Sequence, residues 1–215
     1  MKWVRGSANC PEWLGIYEKE HQRLIQTVIK PAMIIYDIGS HAGFFTLAFS
    51  KLSGSTGHVY AFEPLGANVA KLLRHLSLNR ISNVTVLQVA VSDKCGIYGF
   101  DIGTNDFVGH LAQTQNSNYL VPAVKIDSLV NEGIIAEPDF VKIDVENSEY
   151  AVLNGSIKTV SKSQPAFIIS CHSVEQETKC RNFLVQHGYT IHEFYRNKYG
   201  STVEFFATST AVNPP

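Results

Sequence analysis

The chain has 215 residues, 45% of them apolar, and a formal net charge of -1, which suits one α/β domain with a real core and leaves little room for a second. The absence of a basic run removes the electrostatic footprint of a general nucleic-acid binder. No apolar run approaches the ~18 residues of a membrane span, and the opening Met1-Lys2-Trp3-Val4-Arg5-Gly6 lacks the apolar centre of a signal peptide, so a cytoplasmic protein is expected. Cys10, Cys95, Cys171 and Cys180 have neither C-x-x-C spacing nor the density of a disulfide scaffold and read as reduced, packed thiols.

Residues 1–32 are expected as an N-terminal helical cap on a domain spanning 33–210. Leu24, Ile25 and Val28 lie at helical spacing, and Pro31 ends the helix. The segment either packs on one side of a sheet or closes over a bound cofactor through Tyr17 or Glu18. The run Met33 to Ile38 then breaks at Gly39 and Gly43 and resumes as Phe45-Thr46-Leu47-Ala48-Phe49, a pattern of buried strand, tight turn and helix start. Such a helix offers its positive end to a carboxylate or phosphate. The next strand, Val59-Tyr60-Ala61-Phe62-Glu63, ends in an acid suited to a ribose diol. The dinucleotide fingerprint G-x-G-x-x-G fails, because His41 and Phe44 stand where it needs glycine. The looser Asp-x-Gly-x-x-x-Gly loop with its acid suits S-adenosylmethionine; the plain alternative is an ordinary strand-to-helix turn with a chance acid.

Pro64 fixes the exit from that strand. A helix follows over 68–78, with His75 on its polar, solvated side, and residues 83–91 read as one third strand. The recurrence of strand and helix predicts right-handed parallel crossovers in a doubly wound sheet. Asp93, just past the third strand, either accepts from an adenine amino group or forms a turn. Gly96 to Ile102 and Val121 to Ile126 look strand-like. Between them 104–120 is a long polar segment, a substrate-facing lid or a plain surface loop, with His110 a weak catalytic candidate.

Asp127 starts a short helix. The next strong element is Asp139 to Tyr150, whose apolar run with Asp144 and Glu146 at its end marks the fourth strand. If both are extended they share a face, and two buried carboxylates there raise one pKa unless a cation sits between them. The alternative, acids at a helix N-terminus, fits Ser148 and Glu149 better than Asp144. Helices over 149–160 and 173–187 flank a fifth strand, 165–172, which places His172 at a carboxyl edge. A hairpin over 189–195 and 202–208 closes the sheet, and 213–215 form a disordered tail.

Several motifs together, Tyr36-Asp37-Ile38-Gly39-Ser40-His41-Ala42-Gly43-Phe44-Phe45, Val59-Tyr60-Ala61-Phe62-Glu63-Pro64, Ala90-Val91-Ser92-Asp93 and Val141-Lys142-Ile143-Asp144-Val145-Glu146 with Glu149, resemble the FkbM-type family of S-adenosylmethionine-dependent methyltransferases over about residues 15 to 190. The resemblance implies an α/β, doubly wound, Rossmann-like class I methyltransferase whose seven-stranded, mostly parallel sheet ends in an antiparallel hairpin. It implies O-methylation of a hydroxyl on a sugar, polyketide or similar secondary metabolite, or N-methylation of a peptide amide. It places the cofactor on Asp37, Gly39, Ser40, His41, Gly43, Phe44, Glu63, Pro64, Asp93 and Asp144. Two positions depart from the family pattern: Asn147 stands where glycine is usual and tolerates a left-handed backbone, and His41 replaces a small polar residue. The catalytic candidates are Asp144, Glu146 and His172, as general base. A variant has them hold a divalent cation, Mg²⁺ or Mn²⁺, though the sequence establishes no metal. The rival from another class is an inactive cofactor-binding partner subunit.

Overall fold

β1 (Ile34–Ile38) is buried because parallel strands lie on both of its edges, β2 (His58–Phe62) on one and β8 (Phe140–Ile143) on the other. The computed structural model describes residues 1–4, 7, 19–102, 109–112, 117, 119–197, 199 and 202–209. β3 (Val84–Leu87) adds in parallel outside β2, and β9 (Ala166–Cys171) outside β8. β11 (Val203–Ser209) then runs antiparallel to β9, and β10 (Tyr189–Arg196) forms the far edge antiparallel to β11. The seven-stranded order is thus β10-β11-β9-β8-β1-β2-β3. Chain direction reverses outward from the β1/β8 pair, the switch point where open sheets of this kind bind ligands.

Alternation along the strands divides the core between two helical layers. Tyr36, Ile38, Val141, Ile143, Phe167 and Ile169 pack against α4 (Ile126–Asn131), α5 (Glu149–Asn154), α6 (Ile157–Ser163) and α7 (Val174–Gln186). Ile35, Val59, Phe140, Ile168 and Phe206 pack against α1 (Lys19–Val28) and α2 (Phe44–Ser53), while Ala61 meets Leu72 and Leu76 of α3 (Gly66–Asn79). Among the described residues no helix is long and apolar enough to cross a membrane.

The structure corrects five sequence-based expectations. Residues 83–91 are not one strand. The Val89 N–H donates to the Leu87 carbonyl at 2.9 Å, a three-residue turn that ends β3. The chain then enters a second sheet of β4 (Ala90–Val91), β7 (Leu120–Val124), β5 (Gly96–Ile102) and β6 (Gly109–Ala112), in that order. Its own core contains Leu65, Phe100, Val121 and Ala123. Part of the segment expected to be irregular is therefore β6, and Ile126 opens α4 instead of ending a strand; the rest of 104–116, the His110 side chain, Cys10, Tyr17, Glu18 and the tail lie outside the described residues.

The helix expected over 149–160 divides at Gly155. A Cβ there would meet the Ser92 carbonyl oxygen at 2.1 Å, so a close backbone crossing occupies the break. His75, finally, is not solvated. It is fully buried, stacked on Trp3 with ring centroids 3.9 Å apart, and bonded at Nδ1 to the Ala42 carbonyl (2.8 Å) and at Nε2 to the Val4 N–H (3.1 Å). Nδ1 must donate and Nε2 accept, which fixes the neutral tautomer. Burial lowers its pKa in the same direction.

Candidate active site

The glycine loop wraps the carboxyl end of β1. Gly39 and Ser40 both donate their N–H to the Phe62 carbonyl at 3.0 Å. Gly39 has φ 82°, and a Cβ there would fall 1.9 Å from the carbonyl oxygen of Asp144. The glycine is thus required by the backbone leaving β8, a reason that strand-and-turn patterning does not show. Gly43, φ 92°, caps α2, with Leu72 filling the space where its side chain would go. His41 takes φ 50° between them, and burial together with the nearby Lys71 charge pushes its ring down to about 4, so it is neutral near pH 7.

Glu63 locks this loop from β2. Its Oε2 accepts the His41 N–H at 2.9 Å, and its Oε1 accepts the Leu65 N–H at 3.0 Å and the Asn68 amide at 3.3 Å. Burial raises its pKa against those bonds. Asp37 accepts from Thr46 at 2.5 Å through Oδ2, while its Oδ1 and the Ser40 hydroxyl are buried with no hydrogen-bond partner among the described residues. Buried polar atoms are ordinarily satisfied, so two orphans beside one loop mark a place for a polar ligand. Phe44 sets its ring edge-on to Phe45 and to Trp3 on the same side, and Pro64 leads the chain from Glu63 into α3.

Asp93 lies elsewhere. Because β3 stops at Leu87, Asp93 follows β4 of the small sheet, with Asn154 at 3.4 Å and the Gly155 crossing beside it. The residue just past β3 is Gln88, whose amide nitrogen lies 3.3 Å from where a Gly66 Cβ would sit, at the start of α3. The residue that directly follows β3 is thus Gln88 and not Asp93.

On the other side of β1 a set of charges converges. Lys142 stands in register with Asp37, is buried, bonds Asp144 Oδ2 at 2.9 Å and lies 4.7 Å from the Phe45 ring centre. His172 Nδ1 bonds Glu149 Oε1 at 2.8 Å, and its Nε2 is 3.4 Å from Asp144 Oδ1 and 3.8 Å from Glu146 Oε1. Asp144 and Glu146 do converge, but not as extended neighbours: Glu146 has φ 46° and Asn147 φ 68°, so a left-handed turn returns Glu146 to the site. Asparagine fills the position where the family has glycine and adopts the backbone that glycine would. The group between the two acids is His172, and Lys142 holds Asp144 by its other oxygen. Among the described residues no group of three or more histidine, cysteine, aspartate and glutamate side chains is arranged to hold a metal ion.

Burial works against a charged His172, but the Glu149 hydrogen bond and the Asp144 and Glu146 charges outweigh it and raise its pKa to about 9. An imidazolium has no lone pair to accept a proton, so a ring held in this form positions charge beside Asp144 and Glu146. A raised histidine pKa contributes stability that is complete below ~6.5 and lost as pH rises through about 9. Chemical denaturation at pH 6 and pH 10 is expected to show wild type losing on the order of 2–3 kcal/mol more than His172→Gln over that interval. Equal losses would mean that the imidazole is not held as a cation.

Sequence reasoning passed over Lys142, Gln88 and the burial of Glu149 and Glu204. The available signal was charge inside apolar strands, at Lys142 in Phe140-Val141-Lys142-Ile143 and at Glu204 in Val203-Glu204-Phe205-Phe206.

Known proteins resemble the chain in sequence and in fold. The chain is 27% identical over 141 residues to the hexuronic acid methyltransferase AglP of Haloferax volcanii, covering 64% of this chain and 56% of that one. It is 24% identical over 164 residues to the 2-O-methyltransferase NoeI of Sinorhizobium fredii, covering 68% and 66%. It therefore spans less than two thirds of the length of either relative. The crystal structure of the methyltransferase FkbM from Methylobacillus flagellatus superposes with a TM-score of 0.60 at 18% identity, over 93% of this chain and 55% of that one. Residues 37–196, from the aspartate of the glycine loop to the end of β10, match the methyltransferase FkbM domain, and the chain belongs to that methyltransferase family.

Proposed function

We propose that the chain methylates a hydroxyl of a sugar or similar polyol, with S-adenosylmethionine as donor. The observation that carries this reading is the pair of orphaned buried atoms, Asp37 Oδ1 and Ser40 Oγ, beside the Glu63-locked loop. Their chemistry fits the cofactor: an ammonium can donate to Asp37, a carboxylate can accept from Ser40, and Glu63 Oε2 has a second lone pair for a ribose hydroxyl. When bound, that cofactor supplies a methyl group already activated on a cationic sulfur. The name of the hexuronic acid methyltransferase supports a sugar acceptor, and that of the 2-O-methyltransferase supports transfer to oxygen.

The work left to the protein is orientation, exclusion of water and management of one proton. Asp144 is the proton acceptor in this reading. Its Oδ2 is held by Lys142, which fixes the carboxylate, and its Oδ1 faces His172 at the carboxyl edge of the sheet. Glu149, wholly buried, holds the imidazolium ring through Nδ1 and so sets where Nε2 points.

Isothermal titration with S-adenosylmethionine, with NAD as control, tests the cofactor assignment in wild type and Glu63→Ala. Charge-assisted hydrogen bonds contribute about 1.5–3 kcal/mol, so the variant is expected to bind roughly 10- to 100-fold more weakly. Circular dichroism checks that the loop's loss of its internal acceptor has not unfolded the chain. Equal affinity in the two proteins, or tight NAD binding, would overturn the assignment.

A further inference from the structure

β11 places a carboxyl group, Glu204, among Val203, Phe205, Phe206 and Ala207, and only 8% of the residue is exposed. It stands opposite Ser170 of β9, whose hydroxyl lies 3.4 Å from Glu204 Oε1. Ser170 is two positions before His172, so the strand directs both to one face of the sheet. The charged groups acting on Glu204 are Asp144 and Lys142 from β8 and His172 from the end of β9. Across the β10 register it meets Tyr195. Glu204 therefore extends the Lys142/Asp144/His172 set by one buried carboxyl for which strand packing has no use.

We propose that Glu204 stores one proton for this site, giving it up when a cationic methyl donor arrives and recovering one when the donor has become a neutral thioether. The inference rests on the functional reading above. Burial and the Asp144 charge push the Glu204 carboxyl up to about 7, against Lys142, the Ser170 hydroxyl and His172. Near neutrality it is poised between its two forms, and a cation added nearby favours the carboxylate.

The proton count then closes over one turnover. The O–H bond of the acceptor breaks and an O–CH3 bond forms. The S–CH3 bond breaks with its electron pair left on sulfur, and the freed proton ends on the Glu204 carboxylate. One cation and one anion disappear together, so the charge of this poorly solvated site stays constant through the transfer. Glu204 acts through Asp144 and His172 and is a positioning residue for charge, not a group that touches the acceptor.

The test counts protons and needs no acceptor. S-adenosylmethionine is titrated calorimetrically at pH 7 in two buffers of different ionisation enthalpy, into wild type, Glu204→Gln and Glu204→Asp, with S-adenosylhomocysteine, whose sulfur is uncharged, as the control. A group titrating near 7 is about half protonated at that pH, so wild type is expected to release about half a proton more per cofactor than Glu204→Gln. The difference is expected to vanish with S-adenosylhomocysteine and to return in Glu204→Asp. Cofactor binding with the same proton release in wild type and Glu204→Gln would overturn the inference while leaving the functional reading intact. No binding to wild type would remove both.

Discussion

Lys142→Met is expected to destabilise the fold by about 3–5 kcal/mol, the range for breaking one partner out of a buried ion pair. Methionine matches the lysine stem and preserves the contact with Phe45, so the loss isolates the charge. Two carboxylates depend on it: Asp144, bonded to its ammonium, and Asp37, in register on the neighbouring strand. Burial raises the Asp37 pKa, and Lys142 is the largest influence holding it down. A carboxyl with a raised folded pKa contributes stability that is present at low pH and lost as pH rises through that pKa. Without Lys142 that loss grows, so the variant is expected to be more strongly destabilised at pH 8 than at pH 5. Urea midpoints at the two pH values measure this; a destabilisation below ~1 kcal/mol, or one independent of pH, would show that the ammonium does not hold these carboxylates.

Gly39→Ala is expected to be about as severe, at roughly 3–5 kcal/mol, and to abolish cofactor binding. A left-handed backbone costs an alanine about 1–2 kcal/mol. The remainder comes from the Asp144 carbonyl, 1.9 Å from the new Cβ, which cannot swing aside as a side-chain tip can. Moving it displaces the exit of β8, and with it Lys142, Asp144 and Glu146. Gly188→Ala is the control: its φ is nearly the same, at 81°, but nothing lies within 4 Å of its Cβ position. Thermal unfolding of both variants separates strain from collision, and equal shifts would mean that the Asp144 contact carries no weight.

The main sheet was legible because its signals are local. Apolar runs ending in glycine, acid or histidine mark β1, β2, β8 and β9, and their alternation with amphipathic stretches fixes the parallel topology. Asp37, Glu63, Asp144 and His172 could be placed because each ends a strand, and strand ends meet at one edge. The small sheet was hidden by a single three-residue turn at Leu87–Val89, which propensity does not mark, so Asp93 was read as following β3 when it follows β4. His75 was misread for a different reason. On α3 alone it faces outward, and what buries it is Trp3 and Val4, remote in sequence. The protonation of His172 was likewise out of reach, since it is set by Glu149, Asp144 and Glu146 together.

β1 bonds first to a strand made soon after it and then to one made much later: the Ile34 N–H donates to Asp139, 105 positions on. The order in which a ribosome delivers the chain therefore matters. Asp37, the glycine loop, Glu63 and α3 emerge together and can assemble through short crossovers. The far edge of β1 stays bare until β8 arrives, and Lys142, His172 and Glu204 follow in the last third. Closure of such distant pairs is slow, and a bare edge on a partial sheet is a surface on which other chains can add. A nascent chain halted before β8 would display the cofactor loop beside an open strand, with Asp37 buried and its counter-ion not yet made.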